Sequence, residues 1–239
     1  MNKTTINFEK KKCELLRQKR WENACKARDE ARKPIIKDLR NIGVEIEEIS
    51  DLMECYVPLS EDIVNILLKW IMHVDNHNIL EMLVRVLGGT EKFFDGIKLK
   101  ELFIASNDFR GDTIRYAIAN TISCGKASGL DNWIIEAIKN PKFDKGSRAM
   151  LCEAVVKKHP KEKAIEVLKE VFDDMPPHAA SALGRISHDM STIRFLEEKK
   201  EKYKNQLLNN KLSTIRKNHI KLAIREIKKS INKIQKKIK

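Results

Sequence analysis

Few residues in this chain have both the type and the spacing for chemistry. His73-Val74-Asp75-Asn76-His77 sets two imidazoles four positions apart, the spacing with which one helix face can hold a divalent metal. Asp75-Asn76 reads as a loop between helices, however, and that breaks the geometry; a structural zinc also needs four ligands. Five cysteines, Cys13, Cys25, Cys55, Cys124 and Cys152, form no CxxC and match no zinc or disulfide framework. A reducing cytoplasm is the expected setting. Gly88-Gly89 and Gly125 with Gly129 fall where helices end, and neither GxxxxGK[ST] nor GxGxxG occurs. GxSxG and HExxH are absent too. No cofactor, no metal and no catalytic constellation are expected, and the chain reads as a non-enzyme.

What does stand out is a polycation. Ile220, Ile224, Ile227, Ile231, Ile234 and Ile238 are spaced 4, 3, 4, 3, 4, one apolar stripe on a helix. Between them lie Lys221, Arg225, Lys228, Lys229, Lys233, Lys236 and Lys237, a candidate phosphate-binding set. Three uses remain open for such a helix. It can cap a repeat array with its apolar side. It can bind the phosphates of nucleic acid or of an anionic lipid surface. It can self-associate through the isoleucines. Lysine outnumbers arginine and no aromatic follows Tyr203, which argues against base stacking. Nucleic-acid binding here would be non-specific and steeply salt-dependent.

The charge pattern places that cation. The 239 residues hold 47 Lys and Arg against 34 Asp and Glu, a net charge of +13. Residues 199–239 alone carry 15 bases and two acids. Residues 1–40 are also basic, 13 against 6, while residues 41–198 are mildly acidic, 19 against 26. Nucleic-acid association is thereby confined to the ends, which could equally dock on the acidic body. Nine glycines and six prolines argue against an all-β sandwich or collagen. Ile63 to Val74, the longest apolar stretch, is broken by Asn65, Lys69 and His73 and is too short to span a bilayer. Lys10-Lys11-Lys12 leads into no apolar stretch, so no signal peptide is expected.

The elements that carry these residues are helices. Residues 9–33 read as one charged helix, with Pro34 opening a new turn and Gly43 closing it. Beyond Gly43, amphipathic stretches of about 10–14 residues alternate with short loops, and no period-two strand pattern appears. Leu80–Gly88, Arg115–Ser123, Arg148–Val156 and His178–Ile186 fall in register with starts 35, 33 and 30 residues apart. Each precedes a second apolar helix: Ile97–Ala105, Trp133–Lys139, Ala164–Phe172 and Ser191–Glu198. An earlier pair, about Glu45–Cys55 and Ser60–His73, fits the scheme, and a partial copy begins near Ser213. Small residues recur at one position of the first helices, Val84, Ala119, Cys152 and Ala182, where they would let neighbouring helices approach. One position on, Arg85, Asn120 and Glu153 read either as a solvated face or as a polar ladder with Asn120 bridging cation and anion.

His178-AASALGRI-Ser187 followed by Thr192-IRFLE-Glu198 resembles the HEAT-like repeats of the phycobilisome-lyase type, in which an AxxALG helix precedes an AIPxLxE helix. The resemblance covers about residues 44–225 and departs at Asn120-Thr121-Ile122, where Ala-Leu-Gly is usual. It implies an all-α, right-handed solenoid of about five helix pairs, similar to small bacterial HEAT-repeat proteins, and says little of function. The expected organisation is a basic helical segment over 1–43, a repeat body over 44–205 and a basic amphipathic helix over 206–239.

HEAT-like DNA glycosylases of alkylated bases share that fold, with tryptophans and an aspartate in a groove. Trp70, Trp133, Asp75 and Asp131 match by type alone, no motif carries the roles over, and Trp133 stands where the repeat expects a core residue. Second helices would line the concave face of the solenoid, with Asn65, Lys69, Lys98, Glu101, Glu136, Lys139, Glu166, Lys169 and Arg194 as groove residues. Their mixed signs suit a protein or peptide partner better than a polyanion. A non-catalytic scaffold or adaptor is the leading expectation, and a nucleic-acid-associated protein using its basic ends is the alternative.

Overall fold

A computed structural model of the chain describes residues 3–91, 93–106, 111–209 and 211–238. Met1, Asn2 and Lys239, which belong to the two basic ends, lie outside them. The described chain is all-α except for one pair of three-residue strands. It divides into two compact units, Met1–Lys92 and Phe93–Lys239. Among the described residues no helix is long and apolar enough to cross a membrane.

The first unit opens with α1 (Lys3–Arg40), which runs straight through Pro34 instead of breaking there. Proline removes one backbone donor from the helix. Ile35, Ile36 and Leu39, just beyond it, are buried, and keeping them on one helical face offsets that loss. Gly43 then stops the helix. It adopts φ +80°, and the Gly43 N–H to Arg40 and Val44 N–H to Leu39 bonds close the turn with Leu39 against Val44. From Lys12 to Ala24 every side chain of α1 is exposed, Trp21 at 68% included.

The helix expected over 45–55 is mostly absent. A 3-10 turn (Ile49–Asp51) leads into a single helical turn, α2 (Leu52–Cys55). The Asp51 carboxylate accepts the N–H groups of Glu47 and Glu48 at 3.1 and 2.9 Å, holding a bend there with Glu48 extended. The expected second helix over 60–73 forms as α3 (Glu61–Ile71) and the next first helix as α4 (His77–Leu87), capped by Ser60 and Asn76. Both pack on the C-terminal part of α1.

In the second unit the expected helices appear in order, with two short strands among them: β1 (Phe93–Asp95), α5 (Ile97–Ala105), α6 (Gly111–Cys124), β2 (Lys126–Ser128), α7 (Asp131–Lys139), α8 (Lys145–Lys158), α9 (Lys161–Glu170), α10 (Pro176–Ile186), α11 (Met190–Leu207) and α12 (Thr214–Ile238). First helices α6, α8, α10 and α12 pack each upon the next. Val84, Ala119, Cys152 and Ala182, the small column, are all at most 1% exposed. Two three-residue strands are the exception in an otherwise all-α chain. They pair in parallel, Phe94 opposite Ala127, both buried, just before consecutive second helices. Three residues are too few to show a period of two. The polar ladder is corrected. Arg85 pairs with Glu81 in its own helix at 2.6 Å, Asn120 accepts from Cys124 of its own helix, and Glu153 pairs with Arg185.

Asp173, in the turn after α9, ties that turn to α11. It accepts from Lys199 at 2.7 Å and from Lys202 and the Tyr203 hydroxyl, each at 2.9 Å. Burial works against its charge, but these bonds outweigh burial and hold its pKa at about 2. Because the folded value is depressed, the stabilisation is complete above the ordinary carboxylate pKa of 3.8 and is lost as pH falls toward 2. Asp173→Asn is expected to cost no more than about 1 kcal/mol at neutral pH, since the carboxylate is half exposed. It should also flatten the drop in urea midpoint between pH about 4 and 2.5. An equally steep drop in the variant would show that Asp173 is not the titrating group.

Candidate functional site

The metal candidate is dispersed. His73 lies in the turn after α3, where its Nδ1–H donates to the Lys69 carbonyl at 2.6 Å, and His77 opens α4. Among the described residues no three His, Cys, Asp or Glu side chains gather where a metal could sit. Cys152 is 1% exposed, and burial pushes its thiol pKa up to about 12. It therefore stays protonated and serves packing. The glycosylase-type tryptophans are committed to their surroundings. Trp133, 6% exposed, meets Phe103 edge-on at 5.2 Å, and the Trp70 indole donates to Asp38 at 2.9 Å.

The nine expected groove residues all reach solvent, but they fall in two units. Asn65 and Lys69 are exposed on α3, and Lys69 is already paired with Asp38 at 2.9 Å. The other seven lie on consecutive second helices of the second unit. Lys98 and Glu101 are exposed on α5, Glu136 on α7, Glu166 on α9 and Arg194 on α11, while Lys139 and Lys169 are half-buried. Side chains link these helices one to the next. Phe103 touches Trp133 between α5 and α7, Lys139 pairs with Glu170 between α7 and α9, and Lys169 donates to Ser191 at 3.5 Å between α9 and α11. Glu166 pairs within its helix with Lys163 at 3.0 Å. Around them Ile97, Ile104 and Met190 stay 47%, 46% and 53% exposed.

The basic C-terminal set also keeps to the surface. Ile220, Ile224, Ile227, Ile231 and Ile234 of α12 are buried against α10 and α11; only Ile238 of the stripe is exposed. Lys221, Arg225, Lys228, Lys229, Lys233, Lys236 and Lys237 are all exposed. Arg225 and Lys229 share Glu226 at 3.3 and 2.9 Å. Lys237 donates to the Gly184 carbonyl at 3.3 Å and to that of Arg185, neutralising the C-terminal end of α10. The helix thus spends its apolar side on its own unit and turns its cations outward.

Two residues that spacing alone did not single out do the same job twice. Arg115 and Arg148 are 8% and 2% exposed. Arg115 Nε donates to the Phe103 carbonyl near the end of α5 at 3.0 Å; Arg148 Nη1 donates to the Ile138 carbonyl near the end of α7 at 3.3 Å. Each first helix thereby satisfies the tail of the preceding second helix. The signal was present: both arginines open their aligned segments at the same repeat position. Comparison of the chain with protein-family models, with curated proteins and with solved structures finds no match.

Proposed function

We propose that the chain is a non-catalytic binding module built as a HEAT-like solenoid, and that it takes a protein or peptide partner on the outward face of its second helices. One observation carries the reading: seven residues of mixed sign sit on four consecutive, side-chain-linked helices, with exposed Ile97, Ile104 and Met190 among them. Apolar anchors ringed by polar groups of both signs are what a protein interface offers, whereas a polyanion would meet Glu101, Glu136 and Glu166. The aligned repeat positions, with their small column and paired buried arginines, support the solenoid part of the reading.

Lys98→Glu, Glu136→Lys and Arg194→Glu combined test it. None of the three takes part in an ion pair recorded among the described residues, so the fold should keep its Tm. The triple variant is expected to bind the partner at least about tenfold more weakly, chiefly through slower association. Unaltered affinity would move the interface elsewhere.

A further inference from the structure

Helix α12 carries nine lysines and arginines and a single acid, Glu226. Elsewhere in this unit cations lie among acids, and several are paired with them. On the neighbouring α11, Lys199 and Lys202 share Asp173, Lys200 meets Glu197 and Lys204 meets Glu201. Among the described residues only Arg225 and Lys229 of α12 meet an acid, and it is the same one. At 100° per residue, Lys221, Arg225, Lys228, Lys229 and Lys236 fall within one sector of about 100°, which starts beside the buried isoleucines and extends to the side opposite them. From Lys221 to Lys236 the row runs about 22 Å, with Lys221, Arg225, Lys228 and Lys229 on adjacent turns and Lys236 about 10.5 Å beyond Lys229.

The end of the row gathers further positive charge. Burial, Lys161 and Lys233 all act against the charge on Lys237, and the imidazole of His188 feels burial together with Lys161 and Lys237. Lys161 stands in the first turn of α9, whose backbone N–H groups receive no side-chain cap. Like charges from α9 and α12 therefore act on one another at this end of the unit.

The row is also rigid. Ser230, on the inner side of α12, sits so close to Gly184 that a Cβ there would lie 2.6 Å from the serine Cβ, and Lys237 clamps the end of α10. With the helix fixed, only the side-chain freedom of the cations is left to be lost when a ligand arrives.

We infer that the outward face of α12 docks on the phosphate backbone of duplex DNA, without reading its sequence. A lipid surface fits less well, because an interfacial helix must bury its apolar side in the bilayer and that side is already covered by α10 and α11. Single strands fit less well too: no aromatic lies on α12 for bases to stack on. Leu222, 38% exposed, is the one large apolar side chain exposed between Lys221 and Lys236, too little for a protein anchor. The inference stands apart from the partner-binding reading, since it uses α12 and none of the second-helix residues.

Fluorescence anisotropy of the full-length protein with a labelled 20-base-pair duplex tests it. Five phosphate contacts give a log–log salt slope of about −4.5, a loss of about 500-fold between 50 and 200 mM salt. Two duplexes of unrelated sequence should bind within about twofold of each other. Combining Lys221→Gln, Arg225→Gln, Lys228→Gln and Lys236→Gln should bring the slope to about −1 with unchanged circular dichroism, and Lys237 is left in place because it holds α10. Lys12→Gln with Lys19→Gln on α1 should leave the slope as it was. The inference is overturned by absence of binding at 50 mM salt, by an unchanged slope in the α12 variant, or by displacement of the duplex by phosphatidylserine vesicles or by single-stranded RNA at equal phosphate concentration.

Discussion

Gly184→Leu is expected to release α12 from its unit. A Cβ on residue 184 would lie 2.6 Å from the Ser230 Cβ, 2.7 Å from its Oγ and 2.8 Å from its Cα. One of those atoms is backbone, so no rotamer change relieves the contact, and the two helices must separate. Even Gly184→Ala should cost about 1–3 kcal/mol by overpacking. Leucine leaves no docked arrangement, and the burial of Ile220, Ile224, Ile227, Ile231 and Ile234, each worth about 1.5–3 kcal/mol, goes with it. The released helix exposes an apolar stripe and a run of lysines, so trypsin should cut rapidly at Arg216 and Lys221 and the protein should aggregate at low salt. Ser230→Gly in the Gly184→Ala background should restore part of the loss, because two of the three close atoms disappear. A Gly184→Leu protein with unchanged protease resistance and Tm would mean that α12 does not cross α10 at this point.

The second large effect is an asymmetry. Arg148 is buried with its side chain 3% exposed and pairs with Asp174, 48% exposed, at 3.0 Å. Removing the carboxylate strands a buried guanidinium whose Nε already lacks a partner among the described residues. Removing the guanidinium strands only a carboxylate that water can reach, and a methionine fills much of the vacated volume. Asp174→Ala is therefore expected to cost about 3 kcal/mol and Arg148→Met about 1 kcal/mol. The double variant should be no worse than Arg148→Met, and urea unfolding of the three proteins checks the order. If Arg148→Met proved the more damaging, the bond to the Ile138 carbonyl, not the ion pair, would be the dominant contribution of Arg148.

Legibility in the sequence followed the range of the interaction. The helix pairs could be read because an apolar face repeats within a dozen residues, and the aligned column Val84, Ala119, Cys152 and Ala182 is buried throughout. The isoleucine stripe of α12 was visible for the same reason. Which surface would cover it was not, because that depends on Gly184 of α10 meeting Ser230 across 46 positions of chain. Local competition accounts for other differences. Asp51 captures the N–H groups of Glu47 and Glu48 and keeps 45–48 out of a helix, while the burial of Ile35, Ile36 and Leu39 carries α1 past Pro34. The strand pair is held by register between two loops more than thirty residues apart, Phe94 against Ala127, and no local pattern announces it. Among the candidate site residues, exposure was legible for seven of the nine groove positions, Lys139 and Lys169 being half-buried. That Lys69 and Lys139 are taken up in ion pairs was not, since their partners Asp38 and Glu170 sit on other helices.

The central claim is that the second helices of the unit Phe93–Lys239 take a protein partner. It is tested most directly by capturing partners with the tagged full-length protein from nuclease-treated native lysate, beside the Lys98→Glu, Glu136→Lys, Arg194→Glu variant. The expected result is one protein retained in stoichiometric amount by the wild type and lost from the variant. Equal retention by both proteins, or a wild-type eluate that holds no protein once nucleic acid is digested, would contradict it.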